Sequence, residues 1–80
     1  MLYIVIEEVW SVWTKDAEPQ LLSSSPPLGG GDKAMAETLA EELAGKFGNR
    51  GHEENAAYPY WWGRNDGEPE SHRFIVRSAA

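Results

Sequence analysis

The chain lacks cysteine altogether and contains only two histidines among its 80 residues. Without thiols it has no disulfide, no thiolate metal site and no cysteine nucleophile. A metal site would need carboxylates in addition to the two imidazoles. The absence of cysteine also suits a reducing compartment. We therefore expect a cytoplasmic protein that holds no metal and no cofactor.

Long apolar stretches are missing too. The apolar start, residues 1–6, ends at Glu7 and Glu8, and no basic residue precedes it. A membrane-spanning helix needs about 20 apolar residues, and a secretory signal needs a positive start and a longer apolar core. The sequence therefore predicts a soluble protein that does not enter a membrane.

Basic side chains are scarce, because seven Lys and Arg stand against thirteen Asp and Glu, for a net charge of −6. Nonspecific binding to phosphate backbones needs clustered basic residues. The charge therefore disfavours nucleic acid as a partner, and it favours solubility and basic partners.

A chain of this length forms one domain, here residues 1–80. Small domains bury only about 60% of the surface that the unfolded chain exposes. Many of them gain stability from disulfides, metals or a second subunit. With the first two disfavoured, we expect self-association as a homodimer.

Residues 2–13 are rich in Val, Ile, Tyr and Trp, which predicts a strand. Both odd and even positions are apolar, as in a central strand covered on both faces. Glu7 and Glu8 interrupt this pattern and predict a bulge or an exposed bend. Residues 20–23 predict a short second strand. Residues 24–31 contain two prolines and three glycines, so we expect a flexible loop.

The pattern of residues 32–47 predicts a helix. Asp32 suits the N-cap position and Gly48 the C-terminal cap. Alanines and larger apolar residues recur on one side of this helix. We expect three of the larger side chains to be buried against the sheet: Leu39, Leu43 and Phe47.

The second half of the chain predicts a polar loop at 49–55, a strand at 58–64, a turn at 65–70 and a final strand at 72–77. A short polar loop with glycine joins the two strands, which is typical of a hairpin. Together these elements predict a two-layer α+β fold in the order β-(β)-α-β-β. One helix would pack on a three- or four-stranded antiparallel or mixed sheet.

Adjacent tryptophans carry the main functional inference. Neighbouring residues of a strand point to opposite faces, so Trp61 and Trp62 cannot both pack under the helix. Large aromatic side chains carry about 150–250 Å² each, and an exposed group of them is typical of a binding surface. The candidate interaction surface comprises Trp10, Trp13, Tyr58, Tyr60, Trp61, Trp62 and Arg64.

Two arrangements would remove this patch. In one of them, the loop at 24–31 folds over the face of the sheet that the helix does not cover. In the other, a bulge at Glu7 and Glu8 brings Trp10 and Trp13 to the same side.

No catalytic constellation can be assembled from the sequence. The glycines at 29–31 match no phosphate-binding pattern and fit a linker better. His52 and His72 lack the spacing of metal ligands, and the carboxylate pairs Glu7–Glu8 and Glu41–Glu42 lack a partner base or nucleophile. We therefore predict a protein that is not an enzyme, with no catalytic and no metal-binding residues.

The leading hypothesis is a noncatalytic protein-interaction or assembly module, homodimeric through an aromatic face of its sheet or bound there to another protein. The alternative is a domain that binds a small ligand or single-stranded nucleic acid through the aromatic strand Tyr58 to Arg64. Aromatic residues beside arginines stack bases in several RNA-binding folds. The acidic balance favours the first hypothesis.

Overall fold

A computed structural model describes residues 2–54 and 56–79. Within these residues, one helix packs on an antiparallel sheet of six strands, which confirms the predicted α+β class. The sheet has more strands than the three or four predicted. In chain order the elements are β1 Tyr3–Ser11, β2 Leu21–Ser24, β3 Gly29–Gly31, α1 Lys33–Ala44, β4 Asn49–Glu53, β5 Tyr60–Arg64 and β6 Glu70–Ser78.

The strand order across the sheet is β2-β1-β6-β5-β4, and β3 also pairs with β1. β1 and β6 form the centre through uninterrupted pairing from Tyr3 with Ser78 to Ser11 with Glu70. The prediction that Glu7 and Glu8 interrupt the first strand is therefore wrong. The bulge lies instead where β1 meets β2, between Val9 and Trp10.

The segment predicted as a loop at 24–31 forms an edge of the sheet. The amides of Ser25 and Leu28 donate to main-chain oxygens of β1, each at 2.8 Å, and Gly29–Gly31 pair with β1 as β3. The helix lies so close that a Cβ atom on Gly29 would meet Leu39 Cδ2 at 2.7 Å. Glycine tolerates this approach, so the prediction of an irregular segment is wrong for these residues.

The helix begins where the sequence predicted, because the carboxylate of Asp32 accepts from the amide of Met35 at 2.8 Å. It ends at Ala44 with Gly45 as the C-cap, rather than with the predicted Gly48. The guanidinium Nη1 of Arg50 donates to the carbonyl oxygens of Gly45 and Phe47, at 3.0 and 3.2 Å. These bonds satisfy main-chain acceptors at the end of the helix and favour the earlier stop.

The core lies between α1 and the two central strands. Its buried side chains come from small helix residues and from the sheet: Val5, Ala36, Ala40, Ala44, Phe74 and Val76. Leu39, Leu43 and Phe47 pack around this cluster but remain only partly buried. Because the alanines allow close approach, they face the sheet, and the larger side chains fill the flanks. These three side chains pack where the sequence predicted, but the prediction that they are buried is wrong, because each is only partly buried.

The residues predicted as a polar loop at 49–55 contain a second edge strand. Asn49–Glu53 pair with β5 along its full length, as in Gly51 with Trp62 and His52 with Trp61. Residue 55 lies outside the described residues. The predicted hairpin of the last two strands is confirmed by the antiparallel pairing of β5 with β6.

Candidate interaction surface

The register of the sheet decides which side chains lie away from the helix. Trp61 pairs with Phe74 and packs against the core, so the alternate residues face the other way. We call that side the open face. On β1, β6, β5 and β4 its residues are Ile4, Ile6, Glu8 and Trp10 of β1, Ser71, Arg73, Ile75 and Arg77 of β6, Tyr60, Trp62 and Arg64 of β5, and Asn49, Gly51 and Glu53 of β4.

A stacked arginine lies at the centre of the open face. The guanidinium carbon of Arg73 is 4.2 Å from the ring centroid of Trp10 and 5.0 Å from that of Tyr60. Glu8 lies opposite Arg73 in the register of β1 and β6, and its carboxylate accepts from the indole Nε1 of Trp10 at 3.1 Å. Cation–π contacts contribute about 0.5–2 kcal/mol each, depending on solvent exposure. They hold the arginine and both rings in one defined arrangement.

The two adjacent tryptophans lie on opposite faces, as predicted. Trp61 packs against the core on the helix side and stacks on His52, with 4.0 Å between ring centroids. Trp62 lies on the open face with its ring against Gly51, where an added Cβ atom would be 2.6 Å from the ring. Glycine on the edge strand therefore makes room for the Trp62 indole.

The structure brings together four of the seven predicted surface residues, namely Trp10, Tyr60, Trp62 and Arg64. Tyr58 precedes β5 and is exposed, while Trp61 belongs to the helix side. Trp13 lies beyond the end of β1 and is 67% exposed. The sequence interpretation placed Trp10 and Trp13 in one strand. That placement is wrong, so the alternation of a strand does not fix the side of Trp13 relative to Trp10.

The sequence-based surface omitted Arg73 and Glu8. Both lie on central strands, and their contacts with Trp10 and Tyr60 depend on the order of β1, β6 and β5. The only signal available was the shared parity of Arg73 and Arg77 in the last strand, which places them on one face.

The segment that borders the open face is residues 56–58, and not the loop at 24–31. Residues 24–31 do not fold over this face, because they form the edge beside β1. Ala56, Ala57 and Tyr58 instead line a shallow depression of 260 Å³ together with Glu8, Tyr60, Arg73 and Ile75. Ile6, the partner of Ile75, is buried. The open face is thus partly covered by its own chain.

The open face differs in charge from the rest of the molecule. By register it carries Arg64, Arg73 and Arg77 against Glu8 and Glu53, a local net charge of +1, while the whole chain carries −6. The Nε of Arg64 is buried and has no hydrogen-bond acceptor among the described residues.

A second depression, of 410 Å³, lies on the helix side between the end of α1 and β4. It is lined by Glu41, Ala44, Gly45, Arg50, Gly51, His52 and Trp61. Its arginine already donates to the helix end, and His52 lies 3.9 Å from Glu54. Among residues 2–54 and 56–79, no three His, Asp or Glu side chains converge as a metal ion would require.

Comparisons with protein-family models, with curated proteins and with solved structures gave no match for this chain. In the part of the chain that the structure describes, no helix combines the length and apolar character needed to cross a membrane.

Proposed function

We propose that this protein is a noncatalytic interaction module whose open face binds an acidic segment of another protein. The observation that carries this proposal is the stacking of Arg73 between Trp10 and Tyr60 at the centre of that face. Trp, Tyr and Arg are the residues that dominate the binding energy of protein interfaces. Here they are already ordered, which reduces the entropy lost on binding.

The local charge supports an acidic partner. Three arginines on the face would attract carboxylates, although the whole chain, at −6, repels them at long range. A two-fold contact through this face, the dimer predicted from the sequence, would oppose two such faces of the same sign. A different chain with carboxylates avoids that repulsion.

The alternative ligands fit this face less well. Base stacking needs free aromatic faces, but the guanidinium of Arg73 already lies over the rings of Trp10 and Tyr60. The depression beside Tyr58 and Ile75 measures 260 Å³, below the range of about 300–1,000 Å³ that is typical of small-molecule sites. The occupied aromatic rings and the small depression both favour a protein segment that lies across the face.

A random peptide library displayed on phage tests the proposal, with subtraction on the Arg73→Ala variant. We expect enriched peptides to carry more Asp and Glu than the starting library. A synthetic copy of one such peptide should lose about tenfold or more in affinity for Arg73→Ala, which corresponds to about 1.4 kcal/mol. The matched control is Arg50→Ala, because Arg50 lies on the helix side.

NMR spectroscopy shows where the peptide binds, because each of the four tryptophans has one indole N–H signal in a nitrogen-correlated spectrum. Binding at the open face shifts the signals of Trp10 and Trp62 more than those of Trp61 and Trp13. Enriched peptides without an acidic bias, or shifts confined to Trp61 and Trp13, would contradict the proposal. Failure to enrich any peptide that distinguishes Arg73→Ala would contradict it as well.

A further inference from the structure

Exposed apolar side chains concentrate along one edge of the sheet, formed by β2, β3 and residues 25–28 between them. Leu21, Leu22 and Leu28 are 47%, 54% and 45% exposed. Leu2, which is 68% exposed, lines the same shallow depression as Leu28 beside β3. Leu21 lies opposite Trp10 in the register, so its side chain adjoins the open face, whereas the outer main chain of β2 lies at the border of the sheet.

The edge also lacks charge. Residues 20–31 contain no Asp, Glu, Lys or Arg, in a chain in which 25% of the residues are charged. Soluble proteins commonly protect an edge strand with charged side chains, because unpaired amide and carbonyl groups favour pairing with another chain. All four residues of β2 are exposed, and β2 is the terminal strand of the described sheet order.

Three prolines limit how far this edge can pair. Pro19 precedes β2, while Pro26 and Pro27 follow it, and none of them has an amide N–H to donate. The bulge between β1 and β2 also distorts the edge near Leu22. A partner strand is therefore confined to the short stretch Leu21–Ser24.

We infer that two copies of this chain associate by antiparallel pairing of β2 with β2 around a two-fold axis. In such a dimer each copy uses the same surface, and the two sheets join into one. We assign a second copy to this edge because it presents the same uncharged strand with the same exposed leucines, so a two-fold contact here opposes no like charges although each chain carries −6. The uncharged edge allows two acidic chains to approach closely.

The contact is small, since β2 has four residues. Interfaces below about 1,200 Å² are typical of weak and transient complexes. We therefore expect a dimer in the micromolar range that exchanges with monomer, formed mainly by main-chain hydrogen bonds and by contacts of Leu21 and Leu22.

Sedimentation velocity over micromolar to millimolar concentrations tests this inference. Wild type should shift from monomer to dimer, and Leu22→Lys should raise the dissociation constant about tenfold or more, a change of about 1.4 kcal/mol. Thr38→Lys is the matched control, because it makes the same charge change at an exposed helix position. Both lysines lower the net negative charge, so general repulsion cannot account for a loss confined to Leu22→Lys.

Single cysteines provide a second measurement in this cysteine-free chain. Under oxidised glutathione, Ser23→Cys in β2 should form a covalent dimer faster than Asn49→Cys in β4, at the opposite edge. The inference is overturned if wild type stays monomeric or if the two cysteines cross-link at equal rates. It is also overturned if Trp62→Ser abolishes the dimer while Leu22→Lys does not. Loss of peptide binding in Arg73→Ala with the dimer intact would separate this contact from the open face.

Discussion

The imidazole Nδ1 of His72 lies 2.7 Å from the Oε2 of Glu7 on the helix-covered face of the sheet. Both side chains are less than one-third exposed, and the His72 ring also stacks on Phe47, with 4.8 Å between ring centroids. Glu7, which looked like an interruption in the sequence, is therefore an acceptor within the central strand pair.

Replacing Glu7 by Ala should lower the free energy of unfolding by about 1–3 kcal/mol, because the imidazole loses its acceptor in a partly buried site. Glu7→Gln is the matched control, since its amide oxygen still accepts a hydrogen bond, and it should cost less. Urea denaturation of the two variants measures the difference. Equal losses would mean that this hydrogen bond does not stabilise the fold.

A larger side chain at Ala40 should destabilise the domain, because Ala40 is fully buried between the helix and the sheet. Overpacking a core typically costs about 1–3 kcal/mol. Ala40→Leu should therefore melt well below wild type. Ala34→Leu, at an exposed position of the same helix, should leave the melting midpoint nearly unchanged. Similar midpoints for the two variants would place the helix farther from the sheet than the structure does.

Gly30 of β3 should not tolerate a methyl group. A Cβ atom on Gly30 would collide with the main-chain carbonyl oxygen of Tyr3, which cannot rotate away as a side chain can. We expect Gly30→Ala to reduce the urea midpoint strongly. In Gly48→Ala the new atom would meet only Asn65 Oδ1, at an ordinary 3.6 Å. A tolerated Gly30→Ala would show that β3 does not pair closely with β1.

The two adjacent tryptophans should separate folding from binding. Trp61→Ser removes a ring that packs against the core, and buried Trp truncations cost about 3–5 kcal/mol. Because Trp61 is only partly buried, we expect a loss near the lower end. Trp62→Ser should cost less stability and weaken peptide binding more. Thermal melting and peptide titration of both variants test this, and the reverse order would exchange the roles of the two faces.

Local features of the fold could be predicted from the sequence. Asp32 and the periodic apolar residues specify the helix, and the alternation of a strand separates Trp61 from Trp62. Both depend on neighbours within a few residues, for which the chemistry of caps and periodicity is sufficient.

The missed features depend on residues that are distant in the chain. β3 and β4 lack the composition of strands, and they pair because β1 and β5 offer them a partner edge. Likewise, Arg73 meets Trp10 and Tyr60 only because β6 lies between β1 and β5. No local pattern encodes strand order, so the stacked arginine could not be located from the sequence.

The central pairing of β1 with β6 has a consequence for the order of folding. Tyr3 pairs with Ser78 and Ser11 with Glu70, so the middle of the sheet joins segments separated by nearly the whole chain. Closing such a loop costs entropy before any contact between the two strands compensates for it. The hairpin of β5 and β6 and the helix need only local closure, so they can form early. The two halves of the domain then join at a late step, and folding should be slow for a chain of this size.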